Sequence, residues 1–85
     1  MSIYFSSQFE KDRARIPPAV QKQLSDRLRI FAQNSADPLL RNHKLHGKYA
    51  GYRSINISGD IRAIFIVQEE VCVFLRIGTH SELFE

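Results

Sequence analysis

The chain has 85 residues, 44% of them hydrophobic and 25% charged, with 12 Lys or Arg against 9 Asp or Glu and a formal net charge of +3. That length makes a single domain over residues 1–85, which buries only about two-thirds of the surface its unfolded chain exposes, and the composition excludes disordered, collagen-like and coiled-coil classes. The mainly apolar stretch from Ile61 to Ile77 is broken by Arg62, Gln68, Glu69, Glu70 and Arg76, so it cannot cross a bilayer as a helix and no membrane partner is expected.

Ile3, Tyr4 and Phe5 in SIYFS predict a short first strand. SQFE follows as a capping box, with Ser7 placed to accept from the Glu10 amide and Glu10 placed to reach back. The helix it opens ends by Ile16, because Pro17 and Pro18 remove two donors and Pro17 disfavours the helical conformation at the residue before it. Proline suits a first helical turn, so a second helix starts at Pro17 or Pro18 and runs to about Asn34. Val20, Leu24, Leu28 and Phe31 recur at helical spacing on one face, which makes an antiparallel helical hairpin. NSADP closes that hairpin, and Leu39 and Leu40 are expected to re-enter the core.

RNHKLHGKYAG, with Gly47 and Gly51, reads as a structured loop. YRSINI then alternates, with Arg53, Ile55 and Ile57 on one face and Tyr52, Ser54 and Asn56 on the other. SGD is a tight turn, and IRAIFIV and VCVFLRI are two more strands joined through QEE. The expected fold is α+β: an N-terminal strand, a helical hairpin, then an antiparallel meander with the helices on one face of the sheet. The other face stays partly open, where a ligand would meet polar side chains from several strands.

Charge is uneven along the chain. Residues 1–53 carry ten Lys or Arg against four acids and residues 54–85 carry two against five, giving +6 and −3. A basic half favours polyanionic partners such as nucleic acid, the ribosome or an acidic protein. The N-terminal MSIYFSSQFEKD has none of the features of a secretory signal, and the single Cys72 can form no internal disulfide, so a cytoplasmic location is expected.

Three histidines, His43, His46 and His80, are the candidate proton-transfer groups. His43 and His46 have a spacing that could hold a metal, with His80 or Asp60 completing the set. Arg41, Lys44 and Lys48 surround that pair, and their charge works against a divalent cation and for an anion, so no metal or other cofactor is expected. Cys72 sits mid-strand among Val71, Val73 and Phe74 and reads as a core residue. Lys44, Lys48, Arg53, Arg62 and Arg76 supply cationic donors suited to phosphate.

HKLHGKYAGYRSINISGDIRAIFIV followed by GTHSELF resembles the RelE superfamily of bacterial and archaeal toxins, and most of all its YafQ branch. There an H-x-L-x-G loop leads to a G-Y-R strand, an Asp-bearing turn and a closing G-T-H-x-x-L-F. The resemblance covers about half of the chain closely and implies a RelE-like microbial ribonuclease fold, the toxin of a type II toxin-antitoxin system, and ribosome-dependent cleavage of mRNA in A-site codons. It implies as partners the ribosome, mRNA and a cognate antitoxin.

By position, His43, Asp60, His80 and Phe84 match the active-site pattern of that branch, and Arg62 matches a strand arginine of the wider superfamily. The implied roles are acid or base work for His80, charge stabilisation for Arg62, proton transfer or RNA orientation for His43 and Asp60, and an apolar or stacking contact to a base for Phe84. Lys44, His46, Lys48, Arg53 and Asn56 are the expected RNA contacts. The chain departs from the branch at Asn56, where a histidine is usual, and an amide exchanges no proton near neutral pH. Two other readings stay open: a catalytically weak or inert member of the fold that binds antitoxin or ribosome, and a ParE-like inhibitor of gyrase.

Overall fold

Along β1 (Ser2–Phe5) the half-buried Ile3 and Phe5 alternate with the exposed Ser2 and Tyr4. In the computed structural model, which describes every residue from Met1 to Glu85, this strand lies parallel to β5 (Val71–Thr79), with Ile3 opposite Cys72 and Phe5 opposite Phe74. A parallel pair needs a long crossover. The intervening chain supplies it as α1 (Ser7–Arg13), α2 (Pro18–Gln33), β2 (His43–Lys44), β3 (Arg53–Asn56) and β4 (Ile61–Gln68). The five strands form one sheet in the order β1-β5-β4-β3-β2, antiparallel throughout except for the β1–β5 pair. The expected α+β architecture is what the chain adopts, extended by the two-residue β2 and by a C-terminal helix, α3 (His80–Phe84), that had not been anticipated.

Two local expectations are corrected. The cap of α1 is Ser6, not Ser7: Ser6 is still extended, its Oγ accepts the Phe9 amide at 3.0 Å and donates to the Leu75 carbonyl at 2.8 Å. The strand passes directly into the helix, so the last extended residue takes the cap, and Glu10 turns instead to Arg13 at 3.0 Å. Leu39 is 57% exposed while Leu40 is fully buried. They lie in a 3-10 turn over Pro38–Leu40, where successive side chains diverge widely and only one of two neighbours faces inward. β5, read from the sequence as an apolar strand, is not a plain alternating one.

Phe65 pairs with Phe74 but Ile64 pairs with Arg76, so Leu75 is an extra residue, a β-bulge. The bulge changes the phase of the strand. Phe74 and Ile77, three apart, both reach the main hydrophobic cluster, while Arg76 takes the opposite face beside Ile64. α1 and α2 pack on the first face, where Phe9 and Phe31 bring their rings to 5.9 and 5.2 Å from that of Phe74. Cys72 is in the same cluster, and burial pushes its thiol up to about 11, so it stays protonated and unreactive at neutral pH.

β1 stops opposite Phe74, which leaves the outer edge of β5 beyond that point without a strand. Asp12 of α1 fills the gap. Its carboxylate accepts the Ile77 amide at 3.1 Å and the Arg76 Nε at 2.7 Å. Burial works to raise the Asp12 pKa, but the bonds from Arg76, Ile77 and Gln8 outweigh it and leave the carboxyl below its ordinary value. On Arg76 the bond to Asp12 raises the pKa against the opposing effect of burial.

Candidate active site

The face of the sheet away from α1 and α2 carries Arg62 and Ile64 of β4 and, cross-strand from Arg62, Gly78 of β5. α3 folds back over this face. A five-residue helix is too short to hold itself in water, and two features anchor it. Thr79 and Glu82 form a reciprocal capping box, with the Glu82 amide 3.1 Å from Thr79 Oγ1 and the Thr79 amide 2.8 Å from Glu82 Oε1. Leu83 is fully buried outside the main cluster. The helix lies close over Gly78: a methyl group there would lie 3.0 Å from Glu82 Oε1 and 3.5 Å from Leu83 Cδ2, so the capping carboxylate would have to shift to admit it.

His80 and Phe84 stand four residues apart on α3 and therefore share one face of it. Their rings lie 4.9 Å apart, and both line a cleft of about 330 Å³ together with His43, Lys44, Leu45, His46, Ser54 and Arg62. Four elements distant in sequence thus converge: β2 and the loop after it, β3, β4 and α3. The lining holds all three histidines that the sequence offered as candidates, His43, His46 and His80, on the same side of the molecule. It contains two fixed cations, Lys44 and Arg62, and no carboxylate.

His43 is held by its own backbone neighbourhood. Its Nδ1 lies 2.7 Å from the Arg41 carbonyl oxygen, which can only accept, so Nδ1 carries the proton and the neutral ring keeps its lone pair on Nε2. Arg41 is left-handed, with φ of 47° as the cap of the 3-10 turn, and that conformation turns the chain into β2. Arg62 is anchored through one nitrogen. Its Nη1 donates to the carbonyls of Ser58, Gly59 and Ile61 at 3.0–3.2 Å, leaving the rest of the guanidinium fork unengaged.

Phe84 is placed between His80 and Tyr49, whose ring lies 5.7 Å away at a near-perpendicular angle. Tyr49 in turn carries Lys48, with Nζ 5.3 Å from the ring centroid, so Lys48 belongs to the outer rim beyond the cleft. Ser54 is 1% exposed, and its Oγ is enclosed with no hydrogen-bond partner.

Of the residues expected from sequence, the cleft gathers His43, Arg62, His80, Phe84, Lys44 and His46. Asp60 is exposed in the turn between β3 and β4 and does not line it. Asn56 sits cross-strand from Arg62 and lines the adjoining cleft. Arg53 is not brought to the site: its Nε donates to Asn42 Oδ1 at 2.7 Å, and it lines a separate pocket with Phe31 and Phe65. Arg76 is engaged by Asp12. No three His, Cys, Asp or Glu side chains are grouped so that they could share a metal ion.

The structure adds Ser54, Leu45 and Tyr49 to the neighbourhood. Ser54 could have been found from the alternation of YRSINI, which places it on the polar face with Asn56. The T-x-x-E spacing of Thr79 and Glu82 was the sequence signal for α3.

The whole sequence, residues 1–85, matches the family model described as a bacterial toxin of type II toxin-antitoxin system, YafQ. No curated protein matches the sequence significantly. Among solved structures, the chain is 24% identical to a histidine-to-glutamine variant of YafQ from E. coli, with a TM-score of 0.82 over 99% of this chain and 98% of that one. It is 26% identical to a chain of the E. coli DinJ-YafQ complex, with a TM-score of 0.79 over 99% and 98% of the two chains. A chain of the RelB-RelE antitoxin-toxin complex from Methanococcus jannaschii is 20% identical, with a TM-score of 0.77 over 95% and 94%, a likeness of fold. With the family model matched from end to end and the fold shared with solved YafQ, this chain belongs to the YafQ family of bacterial type II toxins.

Proposed function

We propose that this toxin is a metal-independent endoribonuclease that cuts mRNA in the ribosomal A site. The observation that carries the reading is the meeting of His43 of β2, Arg62 of β4, and His80 and Phe84 of α3 in one carboxylate-free cleft. RNA supplies its own nucleophile, so such a site needs only a base, an acid and a cation. His43 takes the 2′-hydroxyl proton on Nε2, the lone pair left free by its bond to the Arg41 carbonyl. The 2′-oxygen bonds to phosphorus, the bond to the 5′-oxygen breaks, and protonated His80 gives its proton to that leaving oxygen. The products are a 2′,3′-cyclic phosphate and a 5′-hydroxyl.

Arg62 stabilises the added charge on the phosphorane through the part of its guanidinium that the turn carbonyls leave unengaged. Phe84, already edge-on to Tyr49, offers a ring face to a base. Lys44 and His46 hold the flanking backbone, with Lys48 at the rim. Asn56 cannot replace a histidine in proton transfer but can donate to a phosphate, and Asp60 orients the RNA from the turn beside Arg62. Asn56 also favours a second reading, an inert member of the fold that occupies the ribosome without cutting.

A toxin of this family needs an off-state, and the solved DinJ-YafQ and RelB-RelE complexes are toxins held by antitoxins. The same arrangement here would place a cognate antitoxin over the cationic cleft, in the cytoplasm where translation runs.

Induction in cells with mapping of new mRNA ends tests the reading, using the wild type beside His43→Ala and His80→Ala. The wild type is expected to arrest growth and produce ends located within codons. Each variant should lose cleavage by about 10²- to 10⁴-fold, the range for removal of one general acid or base. Growth arrest that survives both substitutions would replace the nuclease by a non-catalytic block.

A further inference from the structure

Arg62 lines two clefts. The second, of about 410 Å³, adjoins the histidine cleft and is lined by Gln23 and Arg27 of α2, Arg41 of the turn before β2, Asn56 of β3, the turn residues Ser58 and Gly59, and Arg62 itself. It carries three guanidinium groups and no carboxylate.

The chain otherwise pairs its arginines with other side chains. Arg13, Arg15, Arg29 and Arg76 each have an acidic partner within 4.0 Å, and Arg53 is bonded to Asn42. Arg27, Arg41 and Arg62 are the three with no side-chain partner, and all three line this cleft. Like charges gathered without a counter-charge repel one another unless an anion joins them. Arg27 is partly buried, and its Nε is enclosed with no hydrogen-bond partner, so nothing on the protein offsets its charge.

We propose that this arginine cleft is a phosphodiester subsite that binds the RNA backbone next to the phosphate being cut. The inference rests on the nuclease reading above and extends it by one nucleotide position. The planar forks of the arginines match the non-bridging oxygens of a phosphodiester bidentately, and successive phosphates of a backbone supply one charge per nucleotide for the three guanidinium groups to share. Asn56 adds an amide donor on the same wall. Arg62 belongs to both clefts, so a backbone passing from one to the other stays in contact with the same guanidinium.

The test is binding of a short single-stranded RNA carrying one 2′-deoxy substitution at the cleavage position, measured by fluorescence anisotropy across a range of salt concentrations. For single strands the slope of log affinity against log salt changes by about 0.7 for each phosphate contact. Arg27→Ala and Arg41→Gln should each flatten the slope by about that amount and weaken binding at low salt by about tenfold. Arg29→Ala removes an exposed arginine already paired with Asp26 on the same helix and should leave the slope unchanged.

Arg41→Gln keeps an exposed side chain of similar length and guards against a folding defect in Arg27→Ala. Slopes for both variants equal to that of Arg29→Ala would overturn the proposal. So would RNA binding that is unchanged while binding of a polyglutamate peptide is lost, which would assign the cleft to an acidic protein partner. Failure of the nuclease reading shows up separately, as wild-type protein that binds this oligonucleotide with the expected slope but leaves an all-ribose mRNA uncut when its codon is presented in the A site of a ribosome.

Discussion

The two faces of the sheet are built on opposite rules. Under α1 and α2, Phe5, Phe9, Phe31, Phe65 and Phe74 form one interlocked aromatic group with neighbouring centroids 5.0–5.9 Å apart. The buried carboxylate at its margin, Asp12, has every requirement met by Arg76, Ile77 and Gln8. On the other face, the cleft collects cations without anions and encloses a serine hydroxyl without a partner. One face holds the chain folded, and the other leaves bonding capacity unused for a ligand. That contrast can be tested by removing one group at a time from each side.

The largest effect is expected at Phe74, which touches four other aromatic rings. Phe74→Ala should cost about 3–5 kcal/mol, the usual range for truncating a core phenylalanine, enough to leave a domain of this size largely unfolded. Phe84→Ala removes a ring of the same size from the open face, where Phe84 is only half-buried. It should cost less than about 1 kcal/mol in stability while lowering RNA cleavage. Urea denaturation of the two variants decides between them: equal losses of stability would mean the faces are not functionally distinct.

Asp12 comes next. Asp12→Ala leaves Arg76 without its counter-charge and the Ile77 amide without an acceptor, and should cost about 3 kcal/mol, lowering the melting temperature by more than about 12 °C. The wild type carries a matching pH signature. Its Asp12 pKa is lowered from an ordinary value of 3.8, so the unfolded chain binds the proton more readily than the folded one. The stabilisation is therefore complete above about pH 5 and is lost as pH falls through 3.8 towards the folded value. The Asp12→Ala variant should lack that component of the acid transition; an unchanged acid profile would show the pair to be worth little.

How much of this could be read from the sequence follows from which signals are local. The strand and helix order was legible because alternation, helical spacing and the Pro17–Pro18 break are properties of neighbours. The bulge at Leu75 was not, since VCVFLRI reads as an unbroken apolar run and only pairing with β4 shows that one residue is in excess. Strict alternation would have put Arg76 on the face of Cys72 and Phe74, where a guanidinium has no place. The site divides in the same way. His43, His80, Arg62 and Phe84 were legible from their residue types and spacing, and the alternation of YRSINI already set Arg53 on the face of Ile55 and Ile57; only the pairing with β4 shows that this face turns towards the helices. Two-residue β2 and five-residue α3 are too short to carry a periodic signal. α3 exists because Gly78, Leu83 and the Thr79–Glu82 box hold it, and only the last is visible as a spacing.

The smallest effect expected in stability has the opposite sign. Ser54 lies on β3 cross-strand from both His43 and Ile64, and its Oγ is shut away with no partner. An enclosed hydroxyl without a hydrogen bond is a net cost to the folded state, so Ser54→Ala should raise stability by up to about 1 kcal/mol, a gain of about 4–8 °C in melting temperature. If the hydroxyl is kept for RNA, the same variant should cut more slowly, because rotation of the side chain towards the cleft it lines lets the serine bond the bound ribose-phosphate. Thermal denaturation and single-turnover cleavage of one preparation measure both changes. A drop in melting temperature would show that the hydroxyl is bonded within the folded chain, and the comparison between a satisfied face and an unsatisfied one would then fail at the residue where it is drawn most sharply.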